Sequence, residues 1–372
     1  MNIKKSLVLA AAVAAAVAAP GAFATNGYFS HGYGIKAKSV GGAGIALPQD
    51  ALAAATNPAG MAIIGDRIDF GVDYFSPQRS ATWGTNGFGV TTGTYNSDST
   101  EFLIPEFGYN KMISPSSSLG ISVFANGGMN TDYGAKILAG GTTNTYSNLE
   151  QLFIAPTWAT KSGNHAFGAS LLIARQTFEA RGLEGFDTTA RSAYAGNVTN
   201  KGEDTSTGVG VKLGWTGQLS QNVALGVTAQ PQISMSKFGK YKGLFAEQGK
   251  FDIPAVYGVG LTIKASPATT LALDVSQIKY SSVKSIANKG EQLPEVSGKL
   301  LGNNDGSGFG WKDQTVYKIG VIHQYSSNLA LRAGFNYAKM PIDSKNTYFN
   351  ILAPATVEQH LTLGATWTLA NK

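Results

Sequence analysis

The chain has 372 residues, of which 46 are glycine, none is cysteine and only 14% are charged. Average proteins carry roughly 25% charged residues, but the hydrophobic fraction of 43% is ordinary and excludes a disordered chain. The net charge of +6 is spread along the chain without a basic cluster, which argues against nucleic acid as a partner. The absence of cysteine excludes disulfide frameworks, thiolate zinc sites and cysteine catalysis.

Residues 1–24 have the pattern of a secretory signal peptide. Lys4 and Lys5 precede an unbroken apolar run over residues 7–19, and residues 22–24 read Ala-Phe-Ala, a small-residue cleavage site. A membrane anchor is the alternative, but this run is shorter than the about 20 residues that a spanning helix needs. We predict export with cleavage after Ala24, which leaves two classes, a soluble exported protein and an outer-membrane barrel.

Residues 25–66 show no strand alternation. A short helix is expected at 49–55, and Asn57-Pro58 ends it because the residue before proline avoids helical geometry. A compact segment of small residues ahead of a barrel is expected inside the lumen as a hatch, and a disordered periplasmic tail is the alternative.

From residue 67 onward the sequence alternates with a period of two, as half-buried strands do. In one example Leu329, Leu331 and Phe335 alternate with Arg332 and Gly334. The typical predicted length of about 10–14 residues exceeds the soluble average and suits membrane strands. Twelve strands are predicted, at 67–76, 101–110, 119–126, 149–160, 165–178, 206–219, 223–235, 252–265, 269–279, 311–325, 329–338 and 359–369.

The connections between these strands alternate in length. Short turns follow the even strands and long polar loops follow the odd ones, the signature of outer-membrane barrels. Six aromatic residues near strand ends are expected to form interfacial girdles: Tyr74, Trp158, Trp215, Tyr325, Tyr337 and Trp367. Four prolines inside predicted strands indicate bulges or shifted boundaries: Pro105, Pro156, Pro231 and Pro254.

Alternation turns three basic side chains, Lys212, Lys318 and Arg332, into the lumen. They are ligand-binding candidates, with Lys318 first because it lies mid-strand, since a cation can orient a carboxylate head by charge-assisted hydrogen bonds. The favoured alternative is a network with lumen carboxylates (Asp69, Asp73 and Asp274) that fills the barrel and anchors the hatch.

The long loop between the seventh and eighth strands carries Leu244, Phe245 and Phe251. Exposed apolar side chains in a loop often mark binding, so these residues are candidates for an apolar landing site. Packing of the loop against itself is an equally weighted alternative.

Nothing in the sequence marks a metal, cofactor or catalytic site. The four histidines, His31, His165, His323 and His360, lack ligand spacing, and no nucleophile elbow is present. We therefore expect no cofactor, no metal and no enzymatic activity.

Three segments carry a family resemblance: residues 46–61 (ALPQDALAAATNPAGM), 126–128 (NGG) and 351–364 (ILAPATVEQHLTLG). Together they resemble the FadL/TodX family of outer-membrane long-chain fatty-acid and hydrocarbon transporters. The resemblance implies a hatch motif at Asn57, Pro58 and Ala59. It also implies a lateral-exit kink in the third strand at Asn126, Gly127 and Gly128; the start of a loop is the alternative for the two glycines.

The family implies an all-β fold, a 14-stranded transmembrane antiparallel β-barrel plugged by an N-terminal hatch. The expected division is a signal peptide at 1–24, the hatch at 25–66 and the barrel at 67–372. Since about twelve strands are predicted and the sequence ends in Lys372, we expect that a last hairpin is missing; a native twelve-stranded barrel is the alternative.

The expected function is passive uptake of long-chain fatty acids or other hydrophobic compounds across the outer membrane of a Gram-negative bacterium, with exit at the third-strand kink. The expected partners are a hydrophobic small molecule, outer-membrane lipids and lipopolysaccharide, around a monomer. A general diffusion porin is the alternative, although a hatch would block its water-filled flow. An adhesin or a membrane-bound enzyme is the weakest class.

Overall fold

The computed structural model describes residues 25–84 and 92–369, so the predicted signal peptide lies outside the described residues. The described ranges contain sixteen strands. They are β1 (Thr25–Asn26), β2 (Phe29–Ser30), β3 (Arg67–Phe75), β4 (Ser80–Trp83), β5 (Gly93–Asn96), β6 (Phe102–Met112), β7 (Ser117–Asp132), β8 (Tyr146–Ser162), β9 (His165–Arg181), β10 (Asp204–Ser220), β11 (Val223–Gln230), β12 (Val256–Ser266), β13 (Thr269–Ile278), β14 (Gln314–Ser326), β15 (Leu329–Ala338) and β16 (Gln359–Trp367).

The helices are short and lie between the strands. One-turn α-helices span Ile35–Lys38, Ala53–Thr56, Ala246–Gly249, Lys284–Ala287, Pro294–Ser297 and Thr347–Asn350. Single 3₁₀ turns span Pro58–Ala62, Glu184–Phe186, Gly239–Tyr241, Tyr280–Ser282 and Ser344–Asn346. No helix of the described ranges is long and apolar enough to cross a membrane.

Fourteen strands form one antiparallel sheet. β3 pairs with β6, β6 with β7, and from β7 to β16 each strand pairs with the next in sequence. The β1–β2 hairpin joins the sheet where Phe29 lies opposite Gly127 of β7, and β4 pairs with β5 in a separate hairpin. Within the described ranges no ladder joins β3 to β16. The meander follows from the short turns, because antiparallel neighbours need only a tight connection.

All twelve predicted strands are confirmed, with shifted ends. The strand predicted at 223–235 ends at Gln230, before Pro231, and the one predicted at 252–265 begins at Val256, after Pro254. Pro105 and Pro156 remain inside β6 and β8, and the β8–β9 register skips two positions at Pro156, which has no N–H to donate. The long loop predicted between the strands at 67–76 and 101–110 was wrong in part, because it contains β4 and β5.

The outward face of the sheet is apolar and exposed. Ile68 and Phe70 on β3 are 69% and 73% exposed, and Leu361 and Leu363 on β16 are 80% and 70% exposed. The neighbouring strands repeat this pattern with alternate leucine, isoleucine and valine side chains. Such a continuous apolar band suits hydrocarbon rather than water. The fold is therefore a transmembrane antiparallel β-barrel.

Candidate ligand-transport site

Residues 25–66, called the inner segment below, lie against the inward face of the sheet. Nine strands each carry a glycine at which an added Cβ would come within 3.0 Å of an atom of residues 39–61. These wall glycines are Gly108, Gly120, Gly168, Gly214, Gly226, Gly260, Gly320, Gly334 and Gly364. Because contacts come from strands all along the sheet, the sheet wraps around the inner segment and its lumen is filled.

Asn57 fastens the inner segment to β10. Its side-chain nitrogen donates to the carbonyl oxygens of Ile45 at 2.7 Å and Trp215 at 3.0 Å, and to the Thr216 hydroxyl at 3.2 Å. Its side-chain oxygen accepts from the Ala59 amide at 3.1 Å, which caps the 3₁₀ turn that begins at Pro58. The predicted hatch-motif residues Asn57, Pro58 and Ala59 are all buried at this junction.

The three basic candidates face inward, and each bonds to the inner segment. Lys212 donates to the carbonyl of Ala55, at the end of the helix Ala53–Thr56. Lys318 donates to the carbonyls of His31 at 2.9 Å and Gly42 at 3.2 Å. Arg332 donates to the Gln49 side chain at 3.1 Å. These bonds favour the anchoring alternative, and a role of these residues in ligand binding remains a prediction.

A row of polar residues crosses four neighbouring strands at one height. In register, Asp274 lies beside Lys318, Lys318 beside Asn336, and Asn336 beside His360. The His31 ring stacks on His360 with 5.7 Å between centroids. Asp274 also accepts bonds from the Gly44 and Ile45 amides of the inner segment, at 2.7 and 3.0 Å. The row therefore holds the inner segment from several strands at once.

Asp50 is a buried carboxylate of the inner segment. Burial, and next the charge of Asp69, raise the pKa of Asp50 to about 6, although a bond from the Leu52 amide opposes the rise. Asp69 itself pairs with Arg67 at 2.6 Å and accepts from the Ala51 amide at 2.9 Å. Asp50 thus lacks the strong cationic partner that Asp69 has, and its ionised form is disfavoured.

β7 bends at the predicted kink. Its register with β8 shifts between Ala125 and Gly127, so Asn126 is an extra residue. The Asn126 amide donates to Gln151 at 2.9 Å and accepts from the Tyr33 hydroxyl at 2.8 Å. A Cβ on Gly127 would collide with the carbonyl oxygen of Tyr28. The loop-start alternative is wrong, because β7 continues through Gly128 to Asp132.

The bend opens a gap between β6 and β7. Their ladder runs from Met112 opposite Ser118 to Phe107 opposite Val123 and then stops, although both strands continue. A cavity of about 620 Å³ fills the gap. Its lining extends from inner-segment residues such as His31 to the lipid-facing side chain of Leu103. We call it the portal cavity, since it connects the lumen with the outer face of the sheet.

Loop residues 353–355 also line the portal cavity. This loop is tied to β7 and the residue after it, because the Thr131 hydroxyl donates to the Leu352 carbonyl at 3.3 Å and the Tyr133 hydroxyl to the Ile351 carbonyl at 2.6 Å. The segment 351–364, which was noticed by its resemblance alone, therefore covers the portal cavity with its first residues and continues into β16.

Charged groups of the portal cavity are arranged unevenly. Near the inner segment Lys38 pairs with Asp73 and lies 3.7 Å from Glu106, which also accepts from the Gly34 amide at 3.1 Å. Away from that cluster Arg79, in the connection after β3, also lines the cavity. The cavity thus has an anionic side at the inner segment and a cation nearer the long loops.

The predicted landing residues are not exposed, which corrects that expectation. Leu244, Phe245 and Phe251 are 8%, 5% and 0% exposed. The Phe245 ring lies 4.6 Å from Phe178 and 5.0 Å from Phe251, in an aromatic cluster beneath the loops. The loops have an apolar core of their own, so the self-packing alternative describes these side chains, and ligand contact there stays a prediction.

Comparisons with known proteins place these features. The family described as outer membrane protein transport protein (OMPP1/FadL/TodX) matches residues 11–372. No match was found among curated proteins. A similar solved structure is the Pseudomonas putida toluene transporter TodX, with 19% identity, a TM-score of 0.65, and coverage of 93% of this chain and 91% of that chain.

Two further structures share the fold. A Pseudomonas aeruginosa FadL homologue is 16% identical over 93% of this chain and 88% of that chain, with a TM-score of 0.66. The Ralstonia pickettii toluene transporter TbuX is 18% identical over 91% and 90%, with a TM-score of 0.62.

Fold and site together define an outer-membrane β-barrel whose lumen is filled by its own N-terminal residues. The family match gives a more specific assignment than the fold does, because it extends over nearly the whole sequence. The chain belongs to the OMPP1/FadL/TodX family of outer-membrane transport proteins, a family of transporters rather than enzymes.

No described group of three or more His, Asp or Glu side chains has the arrangement of a metal site.

Sequence reasoning missed Lys38, Glu106 and Arg79. Lys38 lies in the non-periodic inner segment and Arg79 in a loop, where period-two alternation gives no orientation.

Proposed function

We propose that this protein carries hydrophobic small molecules passively across the outer membrane and releases them sideways through the portal cavity into the bilayer. The observation that carries the proposal is the interrupted β6–β7 ladder with a cavity of about 620 Å³ in the gap. An outer-membrane strand normally pairs on both sides, because unpaired backbone groups in hydrocarbon are costly. Because the gap between β6 and β7 costs stability, we infer that it is kept for a function, the exit of the ligand.

The axial route is closed by the inner segment. Wall glycines lie against it from nine strands, and Asn57, Lys212 and Lys318 bond it to the wall. We propose that it acts as the hatch, with Asn57, Pro58 and Ala59 as its fixed point and Asn126, Gly127 and Gly128 as the exit kink. A hydrophobic solute gains free energy by entering lipid, so no energy source or cofactor is needed.

The relatives support this class of ligand. Two of the solved neighbours are named as toluene transporters and a third as a FadL homologue. We infer that the ligand of this chain is a long-chain fatty acid or another hydrophobic compound. The exposed apolar band of the strands would be surrounded by membrane lipids and lipopolysaccharide, and we propose that the chain works as a monomer.

The absence of cysteine makes a clean test possible. Ala125→Cys introduces one thiol on the portal cavity, and Val296→Cys introduces one on an exposed loop helix as the matched control. Both full-length variants are produced in cells without their own fatty-acid porter. Uptake of labelled oleate and labelled toluene is then measured before and after treatment with a bulky maleimide.

We expect wild-type protein to take up at least one of the two labels. Labelling of Ala125→Cys should reduce uptake several-fold, whereas labelling of Val296→Cys should leave it unchanged. Unchanged uptake in the labelled Ala125→Cys protein would refute exit through the portal cavity. Uptake of neither label together with free ion conductance would indicate a general diffusion porin instead.

A further inference from the structure

The guanidinium of Arg79 stands apart from the other cations of the portal cavity. Its Nη2 atom donates to the Ser99 carbonyl, to the Ser97 hydroxyl at 3.2 Å and to the Asn130 side chain at 3.5 Å, all neutral groups. Its Nε atom is buried without a hydrogen-bond partner. Among the ion pairs of the described residues none includes Arg79.

An aromatic ring supports this guanidinium. The central carbon of Arg79 lies 5.5 Å from the centroid of the Phe102 ring, and Phe102 also lines the portal cavity. A guanidinium on an aromatic face is held in one orientation while its free N–H groups remain available. The side chain therefore presents a preoriented positive charge to the cavity.

The other charges of the cavity are already balanced or face outward. Lys38 is matched by Asp73 and Glu106 beside the inner segment. Glu101, Glu150 and Arg175 are exposed. Glu150 and Arg175 alternate with buried neighbours on β8 and β9, and Glu101 directly precedes β6, so all three lie on the outer side. An anionic group is repelled near Asp73 and Glu106 and attracted near Arg79. The portal cavity would therefore orient a ligand that has one anionic end.

We propose that Arg79 binds the carboxylate head of an acidic hydrophobic ligand, with the tail in the apolar part of the portal cavity. The inference rests on the proposed function and names the ligand class for that site. The guanidinium can donate charge-assisted hydrogen bonds to a carboxylate, which would give this cation the counter-charge that its neutral partners lack. The tail would lie along Met129, Leu103 and Leu152, which lead to the outer face.

The test compares two probes of equal chain length, labelled oleate and its uncharged methyl ester. Equilibrium binding of both is measured on purified full-length protein in detergent. The variants are Arg79→Gln, which removes the charge, and Arg79→Lys, which keeps it. Arg181→Gln is the control, because Arg181 also lies over an aromatic ring, 4.1 Å from the Tyr146 centroid, but does not line the cavity.

We expect Arg79→Gln to weaken oleate binding at least about tenfold, the size expected for a lost charge-assisted bond. Methyl oleate binding should stay within about twofold of wild type, Arg79→Lys should be intermediate for oleate, and Arg181→Gln should match wild type. Equal losses for both probes, or oleate binding by Arg79→Gln within about twofold of wild type, would overturn the inference. Wild-type protein that binds neither probe would overturn the inference, and the proposed function would then depend on the uptake of toluene in the transport experiment.

Discussion

The attachment of the inner segment to the barrel wall should depend on which atom of the Asn57 side chain donates hydrogen bonds and which atom accepts them. Its side-chain nitrogen donates to three oxygens of Ile45, Trp215 and Thr216, and its oxygen accepts from the Ala59 amide. Asn57→Ala removes all four bonds and leaves buried backbone groups unpaired. With about 1–3 kcal/mol for each such group, and partial relaxation, we expect a loss of about 2–4 kcal/mol in the attachment of the inner segment.

Asn57→Asp is the more discriminating change. An aspartate keeps the oxygen that accepts from Ala59 but turns a donor into an acceptor that faces the carbonyls of Ile45 and Trp215. A buried carboxylate without a cation costs more than a missing bond, so this variant should lose about 3–5 kcal/mol at pH 7. The pKa of such a carboxyl is raised, so the loss should shrink as the pH falls and the group gains a proton.

The assay is hydrogen exchange of backbone amides in residues 45–62, combined with ion conductance in planar bilayers. Exchange should speed up in the order wild type, Asn57→Ala, Asn57→Asp at neutral pH, and a loosened inner segment should let ions pass. Asn222→Ala, in an exposed turn, is the control. Exchange of Asn57→Asp at the wild-type rate at pH 7 would refute the assigned donor role.

Three further predictions concern the kink, the wall and pH. Gly127→Val should reduce uptake about tenfold while the barrel still folds, because the new side chain collides with the Tyr28 carbonyl; unchanged uptake would contradict the role of the kink. Gly214→Val should cost about 1–3 kcal/mol by overpacking and raise ion conductance, whereas Gly239→Val, with open space around its Cβ position, should do neither; a silent Gly214→Val would argue against tight wall contacts. Because the folded-state pKa of Asp50 is about 6, above the unfolded value of about 3.9, its ionisation weakens the fold as the pH rises through that window. Asp50→Asn should therefore stabilise the inner segment by up to about 3 kcal/mol at pH 7, measured as slower hydrogen exchange, and should not do so at pH 4. Equal effects at both pH values would contradict the predicted direction of the pH dependence.

Local periodicity was enough to predict β3 and β6 to β16, although not the short strands β1, β2, β4 and β5. A strand in a membrane barrel has one face in lipid and one in the lumen, so residues such as Ile68 and Leu361 report their own orientation. The inner segment was predicted by its small residues and by Asn57-Pro58, which end a helix by their own geometry. These features depend on neighbours in sequence.

The remaining features depend on distant residues. The alternation placed Lys212 in the lumen but could not show that its partner is the Ala55 carbonyl. The portal cavity arises where β6 and β7 fail to pair, and no local pattern records a missing ladder. Phe251 was expected to be exposed because it lies in a loop, yet the loops bury it against Phe245 and Tyr28. The unusual number of aromatic residues in those loops was the available signal of a second core.

The nine wall glycines have a consequence for protein engineering. A lumen whose occupant is deleted normally keeps the side chains that faced it, and they narrow the bore. Here nine of the wall positions against residues 39–61 carry no side chain, so excision of those residues would leave bare backbone at these nine points of the barrel wall. The emptied protein would be a wide aqueous nanopore, and its aperture could be set by the choice of residue that replaces each glycine.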